Sequence, residues 1–238
     1  MPAHTAGALD EQAQVREWFD GVYETRGLGY LRPPEAYPIF LQLLGASADR
    51  RLLDVACGPG LLLRAARALA LRATGVDLSP VAVGMVPRVA PGATALEANA
   101  EHLPFDDDSF DYITCIGSLE RFLDRRAALR EMARVAAPGA KVCLMVRNAR
   151  TFGWKVATEW LGRVNRRGHQ DAGTLEQWTA LFAECGFEVR GVYPDQWFWQ
   201  KWRNRFFARR EGAAEPVVKR LVPLTFANEF IFILDARG

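Results

Sequence analysis

The clearest chemistry in the chain lies at a carboxylate that is followed by a glycine-rich turn. The run from residue 52 to residue 60 reads Leu-Leu-Asp-Val-Ala-Cys-Gly-Pro-Gly, which predicts a buried strand, a tight bend and the start of a helix. Gly58 and Gly60 have no Cβ to block a ligand, and the positive end of the next helix lies beside them. Asp54 adds a carboxylate at the strand end. The pattern predicts a cofactor site.

The residues around this turn argue against two phosphate-binding loops. A dinucleotide fingerprint needs a third small residue after the second glycine, and Leu63 stands there. A P-loop ends in Gly-Lys-Ser or Gly-Lys-Thr, whereas Gly60 is followed by two leucines. Asp54 would also repel a phosphate. The turn therefore favours a cationic or hydroxyl-bearing ligand, and S-adenosylmethionine fits because it has a sulfonium, an ammonium and a ribose.

Four further blocks extend a resemblance that begins at this turn. Residues 52–60 look like the first motif of the class I S-adenosylmethionine-dependent methyltransferases, and blocks similar to theirs follow at 75–79, 98–105, 110–114 and 138–142. The spacing of the blocks is typical of repeated βα units. The chain resembles the small-molecule enzymes of this class, in particular those of the methyltransferase type 11 kind.

The resemblance implies an α/β fold of the doubly wound, Rossmann-like type. Its sheet would have seven mostly parallel strands with an antiparallel last strand, an N-terminal helical cap and a lid inserted before the last strand. We assign residues 1–45 to the cap and 46–238 to the S-adenosylmethionine-binding domain, with insertions at about 148–173 and 195–226. Apolar side chains at helical spacing support the cap: Val15, Trp18, Phe19, Val22 and Tyr23.

Two further polar residues are implied to hold the cofactor. Asp77 stands at the tip of the adjacent strand, where its carboxylate would accept hydrogen bonds from both ribose hydroxyls. Asn99 stands where family members often carry an aspartate against the adenine amino group, and it keeps an acceptor oxygen without the charge. The predicted cofactor-binding residues are Asp54, Ala56, Cys57, Gly58, Gly60, Asp77, Leu78, Asn99, Ala100 and Ile116.

The candidate catalytic residues are Glu120 and His169. Glu120 follows the strand predicted at 110–116 and would face the methyl group, where it could orient an acceptor or accept a proton. Many small-molecule methyltransferases have Glu-His-Phe or a similar triplet at this place, but Arg121 replaces the histidine here. His169 lies in a long connection, and similar enzymes often place a histidine just before the following helix. The candidate acceptor-binding residues are Tyr23, Tyr30, Arg147, Trp197 and Trp202.

The segment before the last strand is the most individual part of the chain. Phe198, Trp202 and Phe206 recur at helical spacing among lysine and arginine residues. Three interpretations stay open: a lid over an apolar or anionic acceptor, a helix in the plane of a membrane, and a helix packed on the sheet edge. Peripheral membrane contact is compatible with this pattern, whereas stable insertion is not expected because no apolar run reaches membrane-spanning length.

Bulk properties limit the partners of the protein. The 238 residues carry a net charge of +2, which gives no general reason to expect nucleic-acid binding. The Asn/Asp-Pro-Pro-aromatic motif of DNA methyltransferases is also missing after residue 116. The four cysteines form no Cys-x-x-Cys pair, which favours buried thiols over metal ligands. We expect no metal, a cytoplasmic location since the sequence starts without a secretory pattern, and a monomer or homodimer.

The predicted function is transfer of a methyl group from S-adenosylmethionine to an oxygen, nitrogen or carbon atom of a small, apolar or aromatic metabolite by in-line displacement. Three alternatives stay open. The altered Asn99 and Arg121 allow a non-catalytic S-adenosylmethionine-binding or scaffold protein. The aromatic and basic segment allows a methyltransferase that acts on a membrane-associated lipid or quinone. A nicotinamide-dependent dehydrogenase is the third, and Leu63 counts against it.

Overall fold

A computed structural model describes residues 3–151, 171–197 and 223–237 of the chain. Within these residues, seven strands form one sheet that is accompanied by six α-helices. The strands are β1 (Arg51–Val55), β2 (Arg72–Asp77), β3 (Thr94–Glu97), β4 (Phe110–Ile116), β5 (Ala136–Arg147), β6 (Phe187–Pro194) and β7 (Glu229–Ala236). The helices are α1 (Ala3–Arg26), α2 (Pro38–Leu44), α3 (Leu61–Ala68), α4 (Pro80–Val89), α5 (Arg125–Val135) and α6 (Leu175–Glu184).

The strand order is β3-β2-β1-β4-β5-β7-β6, and β7 runs antiparallel to both of its neighbours. The strands from β3 to β5 pair in parallel. The order reverses between β1 and β4, so the loops after these two strands open a crevice at the carboxyl edge of the sheet. This arrangement confirms the predicted doubly wound α/β fold with an antiparallel last strand.

Side chains of the central strands alternate between two cores on opposite faces of the sheet. Leu53 and Val55 of β1 pack into the core that contains Met132 of α5. Leu52, on the same strand, packs into the core that contains Phe40 of α2. All five side chains are fully buried. Burial on both faces is the reason that a central parallel strand appears in the sequence as an unbroken apolar run.

The N-terminal segment consists of α1, two 3-10 turns at Gly27–Tyr30 and Pro34–Ala36, and α2. Helix α2 ends at Gly45, whose φ of 64° lies in the left-handed region that glycine adopts at helix ends. The predicted boundary between cap and domain coincides with this end, and the division itself stays a prediction. Most of the two predicted insertions lies outside the described residues. In the described part of the chain, no helix combines the length and apolarity needed to cross a bilayer.

Helix α3 packs closely on β2 because Gly75 has no side chain. A Cβ at Gly75 would lie 2.6 Å from Cys57 Sγ and 2.8 Å from Leu63 Cδ1. In a dinucleotide fingerprint, the small residue that permits close packing belongs to the helix. In this chain it belongs to the strand, so the fully buried Leu63 fits on α3 without a small residue at its own position.

We expect Gly75→Ala to lower the free energy of unfolding by about 1–3 kcal/mol, because the added methyl overlaps two buried side chains. Gly84 provides the matched control. It is an exposed position of α4 with nothing within 4 Å of an added Cβ, so Gly84→Ala should stabilise the protein by about 1 kcal/mol. Urea denaturation of both variants checks this. Equal stability of Gly75→Ala and the wild type would contradict the close contact.

Candidate cofactor site

The turn between β1 and α3 depends on backbone conformations that side chains disfavour. Gly58 has a φ of 53° and Gly60 a φ of 90°, both in the left-handed region. Ala56 also has a left-handed φ of 58°, although it is not a glycine. A left-handed alanine is strained by about 1–2 kcal/mol, and such strain is common at functional sites. The turn therefore keeps its shape at a cost in stability.

The Asp77 carboxylate ties this turn to the start of α4. Its Oδ2 accepts a hydrogen bond from the backbone N–H of Gly58 at 2.7 Å, and its Oδ1 accepts one from the N–H of Ser79 at 2.9 Å. Burial raises the pKa of Asp77 to about 6, although the two hydrogen bonds oppose this shift. The carboxylate thus fixes the loops after two neighbouring strands in one position.

A second buried carboxyl group lies within the sheet. Asp54 of β1 stands opposite Thr114 of β4, whose hydroxyl donates a hydrogen bond to Asp54 Oδ1 at 2.7 Å. Burial raises the pKa of Asp54 to about 7; the Thr114 bond lowers this pKa, and the negative charge of Asp77 adds to the rise. A cation near this edge of the sheet would favour the ionised form of both carboxyl groups.

A cavity lies between α1 and the carboxyl edge of the sheet. Helix α1 contributes four of its lining residues: Gln12, Val15, Phe19 and Tyr23. The end of β2 and the loops after β1, β2 and β3 contribute five of the ten predicted cofactor-binding residues: Ala56, Asp77, Leu78, Asn99 and Ala100. The other five do not line it: Asp54, Cys57, Gly58, Gly60 and Ile116. The cofactor roles of all ten stay predictions.

Tyr23 covers the glycine turn, and its side chain is a second reason why residue 58 has to be a glycine. The Tyr23 side chain is 7% exposed, and its hydroxyl oxygen lies 2.9 Å from the place where a Cβ of Gly58 would be. Burial and the nearby Asp77 charge raise the pKa of Tyr23, so the hydroxyl keeps its proton. Phe19 stacks on the Tyr23 ring and Tyr30 meets it edge-on, each with centroids 6.2 Å apart. The predicted acceptor residues Tyr23 and Tyr30 therefore belong to one aromatic cluster.

Polar contacts attach α1 to the ends of the strands. Asp20 accepts a hydrogen bond from the Ser79 hydroxyl at the start of α4. Arg16 pairs with Glu97 of β3 at 3.1 Å, where both side chains are exposed. The Asp20 contact is the more significant one, because it joins the helix to Ser79, whose backbone N–H binds Asp77, and because the Asp20 charge helps to raise the Asp77 pKa.

Arg121 stands where similar methyltransferases often carry a histidine, and it too contacts the cap. Its guanidinium donates a hydrogen bond to the Tyr30 hydroxyl at 3.3 Å. The same group lies 5.5 Å above the centre of the Phe19 ring. Sequence reasoning treated Arg121 only as a departure from the family pattern. Its contacts identify it as a link between the loop after β4 and the N-terminal segment.

Asn99 uses its side-chain oxygen to shape its own loop. Asn99 Oδ1 accepts a hydrogen bond from the backbone N–H of Glu101 at 3.0 Å, which is the geometry of an Asx turn. An amide oxygen has two lone pairs, so one stays available for a ligand in the cavity. The replacement of the usual aspartate by Asn99 is therefore compatible with both the turn and a contact to a base.

An ion network at the carboxyl ends of β5 and β6 and the amino end of β7 escaped the sequence analysis. Arg32 of the N-terminal segment pairs with Glu229 and, at 2.9 Å, with Asp195. The predicted acceptor residue Arg147 pairs with Glu229 at 3.6 Å. Trp197 is half-buried beside the network and donates its backbone N–H to Asp195 at 3.3 Å. No local pattern marks Arg32, Asp195 or Glu229, because their partners are far away in the sequence.

Glu120 lies near this network and is fully buried. Burial raises the pKa of Glu120 to about 7, and the neighbouring charges of Glu229 and Arg147 act in opposite directions on it. The other catalytic candidate, His169, and the acceptor candidate Trp202 lie outside the described residues. Among the residues that the structure describes, no group of three or more His, Cys, Asp or Glu side chains could hold a metal ion.

The left-handed alanine generates a stability prediction. Ala56→Gly should raise the free energy of unfolding by up to about 1 kcal/mol, because relief of strain exceeds the extra freedom of glycine in the unfolded chain. Ala70 has a φ of 56° and is exposed outside the cavity, so Ala70→Gly should give a similar gain. Chemical denaturation measures both. If the free energy of unfolding falls in Ala56→Gly but not in Ala70→Gly, the Ala56 methyl makes packing contacts that outweigh the strain of its backbone.

Comparisons with known proteins agree with the fold. Residues 30–192 match a family described as Methyltransferase domain. The chain is 27% identical over 205 residues to the ubiquinone biosynthesis O-methyltransferase of Xanthomonas axonopodis pv. citri, a match that covers 81% of this chain and 84% of that protein.

Two solved structures show the same fold. A SAM-dependent methyltransferase of Thermotoga maritima matches with a TM-score of 0.66 and 18% identity, over 94% of this chain and 99% of that one. Geranyl diphosphate C-methyltransferase of Streptomyces coelicolor, solved with S-adenosyl-L-homocysteine, matches with a TM-score of 0.61 and 16% identity, over 86% of this chain and 80% of that one. With the family match over residues 30–192 and the observed strand order, the chain belongs to the class I S-adenosylmethionine-dependent methyltransferases.

Proposed function

We propose that this chain binds S-adenosylmethionine in the cavity under α1 and transfers its methyl group to a small-molecule acceptor. The observation that carries the proposal is the buried Asp77 carboxylate, which lines the cavity between the glycine turn and α4. A carboxylate has about four acceptor positions, and the N–H groups of Gly58 and Ser79 use two of them. The remaining positions match the two hydroxyls of a ribose.

The rest of the cavity suits an adenosine. Leu78 and Ala100 offer apolar surface to a purine ring, and the second lone pair of Asn99 Oδ1 can accept a hydrogen bond from the adenine amino group. The glycine turn would take the methionine part, since Gly58 and Gly60 allow a close approach to the backbone. Asp54 and Asp77 would stabilise the positive charges of the cofactor.

S-adenosylmethionine supplies a methyl group that is already electrophilic, so the chain has to bind it, exclude water and align the acceptor. The departures at Asn99 and Arg121, which favoured a non-catalytic protein, do not count against catalysis. Asn99 keeps an acceptor oxygen and Arg121 has a structural role at Tyr30. The methyltransferase relatives support the enzymatic function.

We propose that the methylated atom is an oxygen of an aromatic acceptor. The O-methyltransferase among the relatives supports this choice of atom. Four partly buried apolar side chains support an aromatic or aliphatic body: Leu31, Ile116, Tyr193 and Trp197. Ile116 ends β4, Tyr193 lies near the end of β6, and Trp197 follows it, so these side chains belong to the same edge of the sheet as the cofactor cavity.

Calorimetric binding of S-adenosylmethionine, S-adenosylhomocysteine and NADH tests the cofactor. The wild type should bind both sulfur compounds with a micromolar dissociation constant and should not bind NADH. Asp77→Asn removes a charged acceptor and should weaken binding of S-adenosylhomocysteine at least about tenfold. Leu78→Ala, which leaves the Asp77 hydrogen bonds intact, should weaken it several-fold through lost apolar contact.

The control for charge removal is Asp49→Asn, at an exposed position before β1 where a φ of 64° suits asparagine. This variant should bind as the wild type does. Thermal unfolding of each variant shows whether it is folded. Unchanged binding in both folded cavity variants would contradict the proposed site.

Binding should also depend on pH. The ribose hydroxyls donate to the ionised carboxylate of Asp77, whose pKa is about 6 without ligand, so ligand binding lowers that pKa and releases protons. Affinity for S-adenosylhomocysteine should therefore fall roughly tenfold between pH 8 and pH 5. The fall should be smaller in Asp77→Asn. An affinity that rises as the pH falls would have the wrong sign for this contact.

A further inference from the structure

The 3-10 turn after β4 buries a carboxyl group that accepts no hydrogen bond from the part of the chain that the structure describes. Glu120 lies in the turn Leu119–Arg121, and its side chain is 0% exposed. Neither of its carboxyl oxygens has a hydrogen-bond partner among the described residues. Arg125 of α5 donates to the backbone oxygen of Glu120 at 3.1 Å and to Asp171 at 3.0 Å. Buried polar groups are nearly always hydrogen-bonded, so this exception requires an explanation.

The charged groups that face Glu120 are engaged elsewhere. Arg147 on β5, Glu229 on β7 and Arg121 in the turn act on the Glu120 carboxyl electrostatically. Arg147 pairs with Glu229 at 3.6 Å. Arg121 donates a hydrogen bond to the Tyr30 hydroxyl at 3.3 Å. These contacts give each of the two arginines an oxygen partner other than the Glu120 carboxylate.

The network beyond Glu120 is balanced in charge. Arg32 and Arg147 contribute two positive charges, and Asp195 and Glu229 contribute two negative ones. Arg121, which also acts on the Glu120 carboxyl, adds one positive charge, and ionised Glu120 balances it. The group that completes the site should therefore bring no charge and should donate a hydrogen bond to the carboxylate.

We propose that Glu120 binds the hydroxyl group of a neutral phenolic acceptor and takes its proton during methyl transfer. This inference rests on the proposed function and names the substrate class of that site. The acceptor oxygen forms its bond to the methyl carbon while the bond from that carbon to sulfur breaks and sulfur keeps the electron pair. The acceptor proton passes to the Glu120 carboxylate. One sulfonium and one carboxylate thus become a thioether and a carboxylic acid, and charge is conserved.

The chemistry of the carboxyl group agrees with this role. Burial raises the pKa of Glu120 to about 7, which is close to the value that suits a general base at neutral pH. An acceptor that carries a carboxylate or phosphate would bring a further negative charge into the site that holds Glu120 and Glu229. The site therefore favours a neutral phenol over an anionic one.

The first test needs no acceptor. Glu120→Gln is compared with wild type by thermal unfolding of the ligand-free chain at about pH 8.5 and about pH 5. The folded protein favours the protonated carboxyl, so the charge of Glu120 destabilises it above pH 7 and has little effect near pH 5. Glu120→Gln should therefore raise the unfolding temperature by several degrees at the higher pH and hardly change it at the lower one.

A structural ion pair between Glu120 and Arg147 predicts the reverse at high pH, a lower unfolding temperature, and this result would overturn the proposal. The matched control is Glu188→Gln, an exposed position at the start of β6 on the opposite edge of the sheet. This control should change the unfolding temperature by no more than about one degree at either pH.

The second test uses two probes that differ in one substituent, 4-methylcatechol and 3,4-dihydroxybenzoate. With S-adenosylhomocysteine present, the wild type should bind the neutral probe at least about tenfold more tightly than the anionic one. With S-adenosylmethionine, Glu120→Gln should lose about a hundredfold in kcat on 4-methylcatechol while it keeps binding the cofactor. The wild-type rate should rise with pH through about 7, and the rate of the variant should not.

Preference for the benzoate, binding of neither probe, or unchanged turnover in Glu120→Gln would overturn the inference. Failure of the wild type to bind S-adenosylhomocysteine would instead refute the proposed function. The unfolding measurements would in that case still decide whether Glu120 lacks a partner in the folded chain.

Discussion

The hydrogen bonds from Gly58 and Ser79 to the Asp77 carboxylate are the contacts on which the rest of this edge of the sheet depends. They join the loop after β1 to the first turn of α4, and through Ser79 they also reach Asp20 of α1. Without a carboxylate at this place, two backbone N–H groups would be buried and unsatisfied, at a cost of about 1–3 kcal/mol each. The same Asp77 side chain therefore holds the loops together and lines the cavity proposed for the cofactor.

Three buried carboxyl groups lie towards the same edge of one sheet: Asp54, Asp77 and Glu120. Burial raises the pKa of each, to about 7, about 6 and about 7. In the ligand-free protein, their ionised forms lower stability as the pH rises through this range. A cation and hydroxyl donors would favour the same ionised forms. Under the proposed function, the protein loses some stability so that these carboxyl groups are in place for a positively charged cofactor, as is common at functional sites.

Local patterns were enough to predict much of the fold and to select five residues that line the cavity under α1. The apolar run before Asp54 and the acid at position 77 identify strand ends, because burial and strand length are short-range properties of a parallel sheet. The contacts of Tyr23 with Gly58 and of Arg32 with Glu229 could not be predicted in this way. Arg32 and Glu229 are 197 residues apart, and neither belongs to a motif.

The absence of a hydrogen bond to the Glu120 carboxyl within the described residues is equally invisible in a sequence, since it depends on the positions of several arginine side chains. Sequence reasoning could propose Glu120 only by analogy, whereas the packing around the turn gives its carboxyl a physical reason to bind a ligand. Strand β7 adds a consequence for biosynthesis. It separates β5 from β6, so residues 187–194 cannot join the sheet until residues 229–236 have left the ribosome. A nascent chain that stalls before residue 229 would present the open edge of β5 to chaperones or to other chains.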